Sequence, residues 1–166
     1  MARSKNDPFL TGASSAPWDR PHGAPKARLV AVLDERSDGL GLNLIPNKSR
    51  AVREFEINEL AVSDEVAVPG GTVEGAAFVA FVEFTSGGML IEGDRIEING
   101  DSIGEIAGFD ETAMPNHRTV VLRKATRTTG RQRGYQLDDT VTVVQFHRVI
   151  AEPECRRPAV GHIDRP

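Results

Sequence analysis

Apolar positions along the chain fall into short runs that alternate in part with polar ones, and turn-forming residues bound each run. Residues 28–33 (RLVAVL), 40–45 (LGLNLI), 76–84 (AAFVAFVEF), 95–98 (RIEI), 102–107 (SIGEIA), 119–122 (TVVL) and 140–146 (TVTVVQF) are rich in Val, Ile, Phe and Thr. Branched and aromatic side chains fit a pleated surface better than a helix, so each run predicts a strand. The punctuation comes from Asp38-Gly39, Gly70-Gly71, Gly87-Gly88, Gly93-Asp94, Asn99-Gly100 and Thr129-Gly130. Asn99-Gly100 is the most specific of these, because a two-residue type I′ hairpin turn needs positive φ at both centres and these two residue types tolerate it. No stretch carries a sustained 3.6-residue period. The best helix candidate is residues 49–60, where Ser49 is placed to cap and Val52, Phe55, Ile57 and Leu60 form an imperfect stripe.

Many short strands and only 5% aromatic residues leave little mass to fill a two-sheet sandwich. The expected fold is therefore all-β, a small closed or partly closed β-barrel with at most one short helix. Both ends read as tails. Residues 1–27 mix Ser, Pro, Gly, Lys and Arg around isolated apolar residues such as Phe9, Leu10 and Trp18, without a period of two or 3.6. Such a segment buries too little apolar surface to offset the entropy of ordering, so a disordered or loosely draped end is expected, with Trp18 as a residue suited to pin it. Residues 151–166 hold three prolines and scattered charges and read as a second flexible tail. One domain, residues 28–150, is left between them.

Composition narrows the classes of function. The chain has 166 residues, of which 39% are hydrophobic and 27% charged, and no apolar run approaches the roughly 18 residues of a helical membrane span. No apolar segment of roughly 7–15 residues marks a secretory leader near the start. A single cysteine, Cys155, leaves no internal disulfide framework and no four-cysteine zinc site, and fits a reducing, cytoplasmic setting. The sequence contains no G-x-x-x-x-G-K-[ST], no G-x-G-x-x-G opening a helix, no H-E-x-x-H and no G-x-S-x-G. Nucleotide-dependent kinases, Rossmann dehydrogenases, zincins and α/β hydrolases are thereby disfavoured, and no nucleotide cofactor is expected.

The net charge of −4 conceals a division. From Glu54 to Glu111 there are fourteen carboxylates and one base, Arg95, so that stretch carries −13 and the remainder +9. Arg118, Arg123, Lys124, Arg127, Arg131 and Arg133 then follow within sixteen residues that contain no carboxylate. Opposite charges in one small domain are expected to complement each other intramolecularly or simply to form solvated faces. A nucleic-acid surface is disfavoured, because Tyr135 is the one ring near these bases and stacking surfaces interleave aromatics.

Chemistry concentrates between residues 105 and 117. Two carboxylates (Asp110, Glu111), a hydroxyl (Thr112), an amide (Asn116) and an imidazole (His117) surround Pro115, with Glu105 a few residues upstream. Dense polar groups bounded by strands describe a binding loop on a rigid scaffold. Asp110, Glu111 and His117 are the candidates for general acid–base work, and Glu105, Thr112 and Asn116 for ligand contacts. A divalent metal is compatible with Asp110 and His117 alone. Against this, Asp, Thr and Asn are ordinary turn formers that bond their own backbone. Glu56, Glu59, Asp64 and Glu65 read as a solvated acidic face, and His147, His162 and Cys155 as surface residues without a positioned partner.

Two resemblances attach to these residues. The stretch Gly88-Met89-Leu90-Ile91-Glu92-Gly93-Asp94-Arg95-Ile96-Glu97-Ile98-Asn99-Gly100 resembles the G-x-L-x-x-G-D-R-I-x-x-I-N-G segment of PDZ domains, and Gly39-Leu40-Gly41-Leu42 is similar to their carboxylate-binding loop. That resemblance implies a peptide C-terminus added as an extra strand at Leu40, Gly41 and Leu42, with His117 on a specificity helix. It covers about a quarter of the core, and the Val- and Thr-rich run after His117 departs from a helix.

The second resemblance is to an uncharacterised bacterial family of small β domains. It rests on the segment from Gly104 through Gly108-Phe109-Asp110-Glu111-Thr112-Ala113-Met114-Pro115-Asn116-His117, together with Glu56-Ile57-Asn58-Glu59-Leu60 and Phe81-Val82-Glu83-Phe84. It spans most of residues 28–146 and implies fold and extent, with no activity to carry over. Relatives tend to carry histidine where this chain has Ala113, a departure that weakens a metal or acid–base role for the loop.

Three readings of function follow, in order. The first is binding of a small polar metabolite at residues 105–117, extending to an enzyme of secondary metabolism and to a homo-oligomer. The second is a PDZ-like module binding peptide C-termini through residues 39–42. The third is an interaction subunit engaging an anionic partner through residues 118–133. None involves a membrane.

Overall fold

The computed structural model describes residues 24–145, so the expectations for Trp18, Cys155, His147 and His162 and for most of both tails lie outside the described residues. Ten strands form: β1 (Lys26–Val32), β2 (Arg36–Asn43), β3 (Ser49–Val52), β4 (Ile57–Ser63), β5 (Thr72–Phe84), β6 (Gly88–Ile91), β7 (Arg95–Ile98), β8 (Asp101–Asp110), β9 (Arg118–Arg123) and β10 (Thr140–Val144). Eight of them make one sheet in the order β1-β10-β7-β8-β9-β4-β5-β2, while β3 and β6 pair separately.

Hydrogen bonds also join β1 to β5, so the sheet closes into a ring. It is not a regular barrel, and β5 explains why. This strand pairs with β4 along one edge; on the other it pairs with β1 through Ala80–Phe84 and with β2 through Thr72–Ala77. The chain thus runs along one edge of β5 as two strands, and just past β2 it bridges to the end of β8. Pairing is antiparallel throughout except between β4 and β9, which run parallel in the register Asn58↔Arg118 to Ser63↔Arg123.

Both faces of the β4–β5–β9 strip are covered, and that accounts for its almost unbroken burial. Side chains alternate between the faces of a strand. Leu60, Val62, Val82, Phe84, Val120 and Leu122 enter the main core with Phe109 and Ile106. Ala61, Ala76, Phe78 and Val121 face the other way, under Leu40, Leu42 and Leu44 of the β2 arm. Small residues on that second face let the arm approach closely. Gly108 is an example, since a Cβ there would stand 2.9 Å from Leu44 Cδ1. Leu44 forms an isolated bridge with Asp110, and Ile45 N–H donates to the Phe109 carbonyl at 2.8 Å. The end of the arm is thereby stitched to the end of β8.

The turn between β7 and β8 is the two-residue type expected, with φ of 50° at Asn99 and 83° at Gly100. The helix expected over residues 49–60 does not form, and no helix occurs among the described residues. Its place is taken by β3, a turn and β4. Buried Asn58, Leu60 and Val62 recur every second residue, so the run is β-periodic and the apparent stripe joins two strands across a turn.

The PDZ resemblance is also local. Arg118–Arg123 is strand β9, hydrogen-bonded on one edge to β4 and on the other to β8, so the helix that such a domain uses for specificity is absent. Leu40, Gly41 and Leu42 lie on β2, which already pairs with β5. The peptide reading falls with the missing helix. The basic segment, in turn, is largely met by the acidic half of the chain. Arg123 pairs with Glu105 at 3.2 Å, Arg127 with Asp64 at 3.1 Å and with Asp38, and Arg133 with Asp101 at 3.2 Å. Lys124 donates to the Ser102 carbonyl.

Candidate functional site

The residues singled out between 105 and 117 separate into four environments. Asp110, at the end of β8, is 2% exposed. Its Oδ2 accepts from the Asn43 backbone N–H at 2.7 Å and from Thr112 Oγ1 at 2.8 Å, and its Oδ1 from the Thr112 N–H at 2.9 Å. Three donors occupy this carboxylate, and Thr112 is spent with it. Glu105 projects elsewhere along β8 and pairs with Arg123.

His117 stands just before β9. Its Nδ1 takes the Asn116 side-chain amide at 2.9 Å, its Nε2 faces Glu59 Oε2 at 3.6 Å, and its ring meets Phe81 edge-on at 5.0 Å between centroids. Glu59 also accepts from Thr119 Oγ1 at 2.7 Å. The pair expected as metal ligands, Asp110 and His117, therefore has different partners. Among the described residues no three His, Cys, Asp or Glu side chains gather as a metal site.

Glu111 leads to a different place. Its Oε1 meets two guanidinium groups, Arg50 Nη2 at 2.7 Å and Arg118 Nε at 3.1 Å. Arg118 Nη1 in turn donates to Glu56 Oε1 at 2.6 Å. The four side chains are each one-fifth to one-third exposed. The fold brings them together by register. Arg118 is the first residue of β9, opposite Asn58 of β4, and has the parity of Val120 and Leu122, so it sits at the edge of the main core. Glu56 precedes β4, and Arg50 comes from β3.

An open depression of about 660 Å3 adjoins this network, lined by Arg50, Ala51, residues 53–56 and Arg118. It is open to solvent over much of its surface. Three guanidinium groups and two carboxylates line it, and Glu111, held by Arg50 and Arg118, brings the local balance to neutral. A guanidinium carries five N–H donors in a fixed fork suited to carboxylate or phosphate. Glu111 and Glu56 engage only some of those on Arg50 and Arg118; Arg50 Nε, which also has no partner among the described residues, is buried away from the depression's open side.

Comparison with known proteins fixes the family but no activity. Residues 21–144 match the model of a family of unknown function, DUF6917. The chain belongs to DUF6917. No curated protein and no solved structure matches it. In this DUF6917 domain the network of Arg50, Arg118 and Glu56 was not apparent from sequence as a site. Arg118 stood out only as one of six clustered bases, and Arg50 and Glu56 fell inside the segment read as helical. The available signal was Arg50, Arg53 and Phe55 close together at the edge of an acidic run.

Proposed function

We propose that the domain binds a small polar metabolite carrying a carboxylate or phosphate, and that Arg50 and Arg118 receive the anionic group in the depression between β3, the turn before β4 and the start of β9. The observation that carries this reading is one carboxylate oxygen, Glu111 Oε1, shared by two guanidinium groups that both line an open cavity. A shared counter-ion leaves each guanidinium with donors to offer, and an incoming anion with two oxygens satisfies them better than Glu111 alone. The residues 105–117 contribute through Glu111, not through a trio of Asp110, Glu111 and His117. Binding is favoured over catalysis because Asp110 is already engaged by three hydrogen bonds within the fold and His117 does not line the depression.

The test is isothermal titration of the full chain, at low salt, with inorganic phosphate, acetate and citrate. Saturable binding is expected with Kd of about 10 μM to 1 mM, a range of roughly −7 to −4 kcal/mol. Arg50→Met and Arg118→Met should each weaken it about tenfold or more, while Arg123→Met, which removes only the pairing to Glu105, should leave it unchanged. Absence of saturable binding, or wild-type affinity in both arginine variants, overturns the reading.

A further inference from the structure

Phe55 is the largest apolar side chain lining the depression, and two separate features set it apart. It is 72% exposed, the most of any aromatic residue described, and its φ is +66°. Scattered exposed hydrophobes are ordinary. A bulky aromatic residue in the left-handed region is not, because its Cβ crowds its own backbone. Glycine or asparagine at this position removes the strain and the exposed ring together, yet the chain carries phenylalanine. The turn that holds it is well tied. Phe55 N–H donates to the Phe84 carbonyl at 2.7 Å, Glu56 N–H to the Arg53 carbonyl at 3.2 Å, and Arg53 N–H to Glu56 Oε2 at 3.1 Å. Glu56 thus braces the turn through its Oε2 and grips Arg118 through its Oε1, which links the placement of the ring to that of the guanidinium. The ring, the small side chain of Ala51 and the stems of the arginines give the depression an apolar side next to its cationic one.

We propose that the ligand is an amphipathic anion, an aryl or alkyl carboxylate or phosphate, whose charged end is taken by Arg50 and Arg118 and whose apolar body lies on Phe55. This rests on the anion-site reading above and adds the class of molecule. A concave site that puts one exposed ring beside paired guanidinium groups matches a small molecule with both halves better than a fully polar metabolite, which leaves the ring in water.

The experiment compares acetate with phenylacetate and 3-phenylpropanoate, and phosphate with phenyl phosphate, on the full chain by titration calorimetry. Phenylacetamide serves as the neutral control, and vesicles of phosphatidylcholine and phosphatidylserine serve as an anionic apolar surface. The aryl anions are expected to bind about tenfold tighter than their small counterparts, as burial of part of a ring predicts, and phenylacetamide to bind far more weakly. Phe55→Ser should bring the aryl-to-small affinity ratio toward one. Because Phe55 is exposed and strained, the variant should fold, and circular dichroism checks that it does. Equal affinity for small and aryl anions, an unchanged ratio in Phe55→Ser, or vesicle binding without aryl preference overturns the proposal while leaving the anion site standing. Failure of every anion to bind removes both.

Discussion

Asp110 accepts a hydrogen bond from the Asn43 backbone at 2.7 Å, and this contact ties the end of β8 to the end of the β2 arm. It lies beside the Leu44–Asp110 bridge, where the sheet makes its second closure. Asp110 is therefore a structural carboxylate. Asp110→Ala removes the acceptor of the Asn43 and Thr112 backbone N–H groups, which lie in a part-buried setting that water can partly reach, and should lower stability by about 1–2 kcal/mol. Asp110→Asn keeps one acceptor oxygen and should cost about half as much. Denaturant unfolding of the three proteins measures both, and a loss below about 0.5 kcal/mol for alanine would contradict the assignment.

How much of this was legible depended on whether the signal was local. Asn99-Gly100 announced its turn because the required φ values are intrinsic to the two residue types. The all-β fold followed from patterning, whereas the division into acidic and basic segments was visible without saying which bases pair internally. The turn at residues 53–56 did not, because Phe55 adopts a φ that its chemistry disfavours and only the surrounding contacts enforce it. The polar groups of residues 109–117 were visible as a cluster, but their division was not. Asp110 and Glu111 are neighbours on an extended chain, so their side chains leave in opposite directions, one to Asn43 and the other to Arg50 and Arg118. Asn43 and Arg50, each about 60 or more residues away in sequence, share in deciding those roles with nearby Thr112 and Arg118, and no local pattern names the distant pair.

Tyr135 gives the fold an alkaline limit. Burial raises its pKa above the ordinary value of 10.0; Arg133 beside it pulls the other way, and Asp101, which accepts its hydroxyl at 3.2 Å, adds to the rise. In the unfolded chain the phenol ionises first as pH increases. The stabilisation is therefore complete below the unfolded pKa and is lost as pH climbs through the folded one. As Tyr135 is the single tyrosine of the chain, an absorbance titration of phenolate reads it directly. The midpoint should exceed that of the urea-unfolded protein, and Tyr135→Phe should flatten the decline of stability above about pH 10.

Phe55→Gly should separate stability from binding. Glycine relieves a left-handed conformation that costs other residues about 1–2 kcal/mol, and gives back about 0.5–1 kcal/mol through its freer unfolded state. The net expectation is a gain of up to about 1 kcal/mol in thermal or denaturant unfolding. A clear loss would show that the ring packs on its neighbours instead of facing the depression.

Glu111→Gln should strengthen anion binding. In the free protein the Glu111 carboxylate sits 2.7 Å from Arg50 and 3.1 Å from Arg118, so any anion arriving at these guanidinium groups competes with it or meets its charge. Glutamine keeps the size of the side chain and removes the charge. Because the ion pairs are partly exposed, the stability cost should stay at or below about 1 kcal/mol. The affinity for phosphate or phenylacetate should rise about threefold to tenfold, since like-charge repulsion at this distance is worth about 1 kcal/mol in a solvent-screened setting. Titration at two ionic strengths provides the check: the gain should shrink as salt increases. A fall in affinity would instead place Glu111 in contact with a cationic or hydroxyl group of the ligand, and would reverse its role from counter-ion to recognition residue.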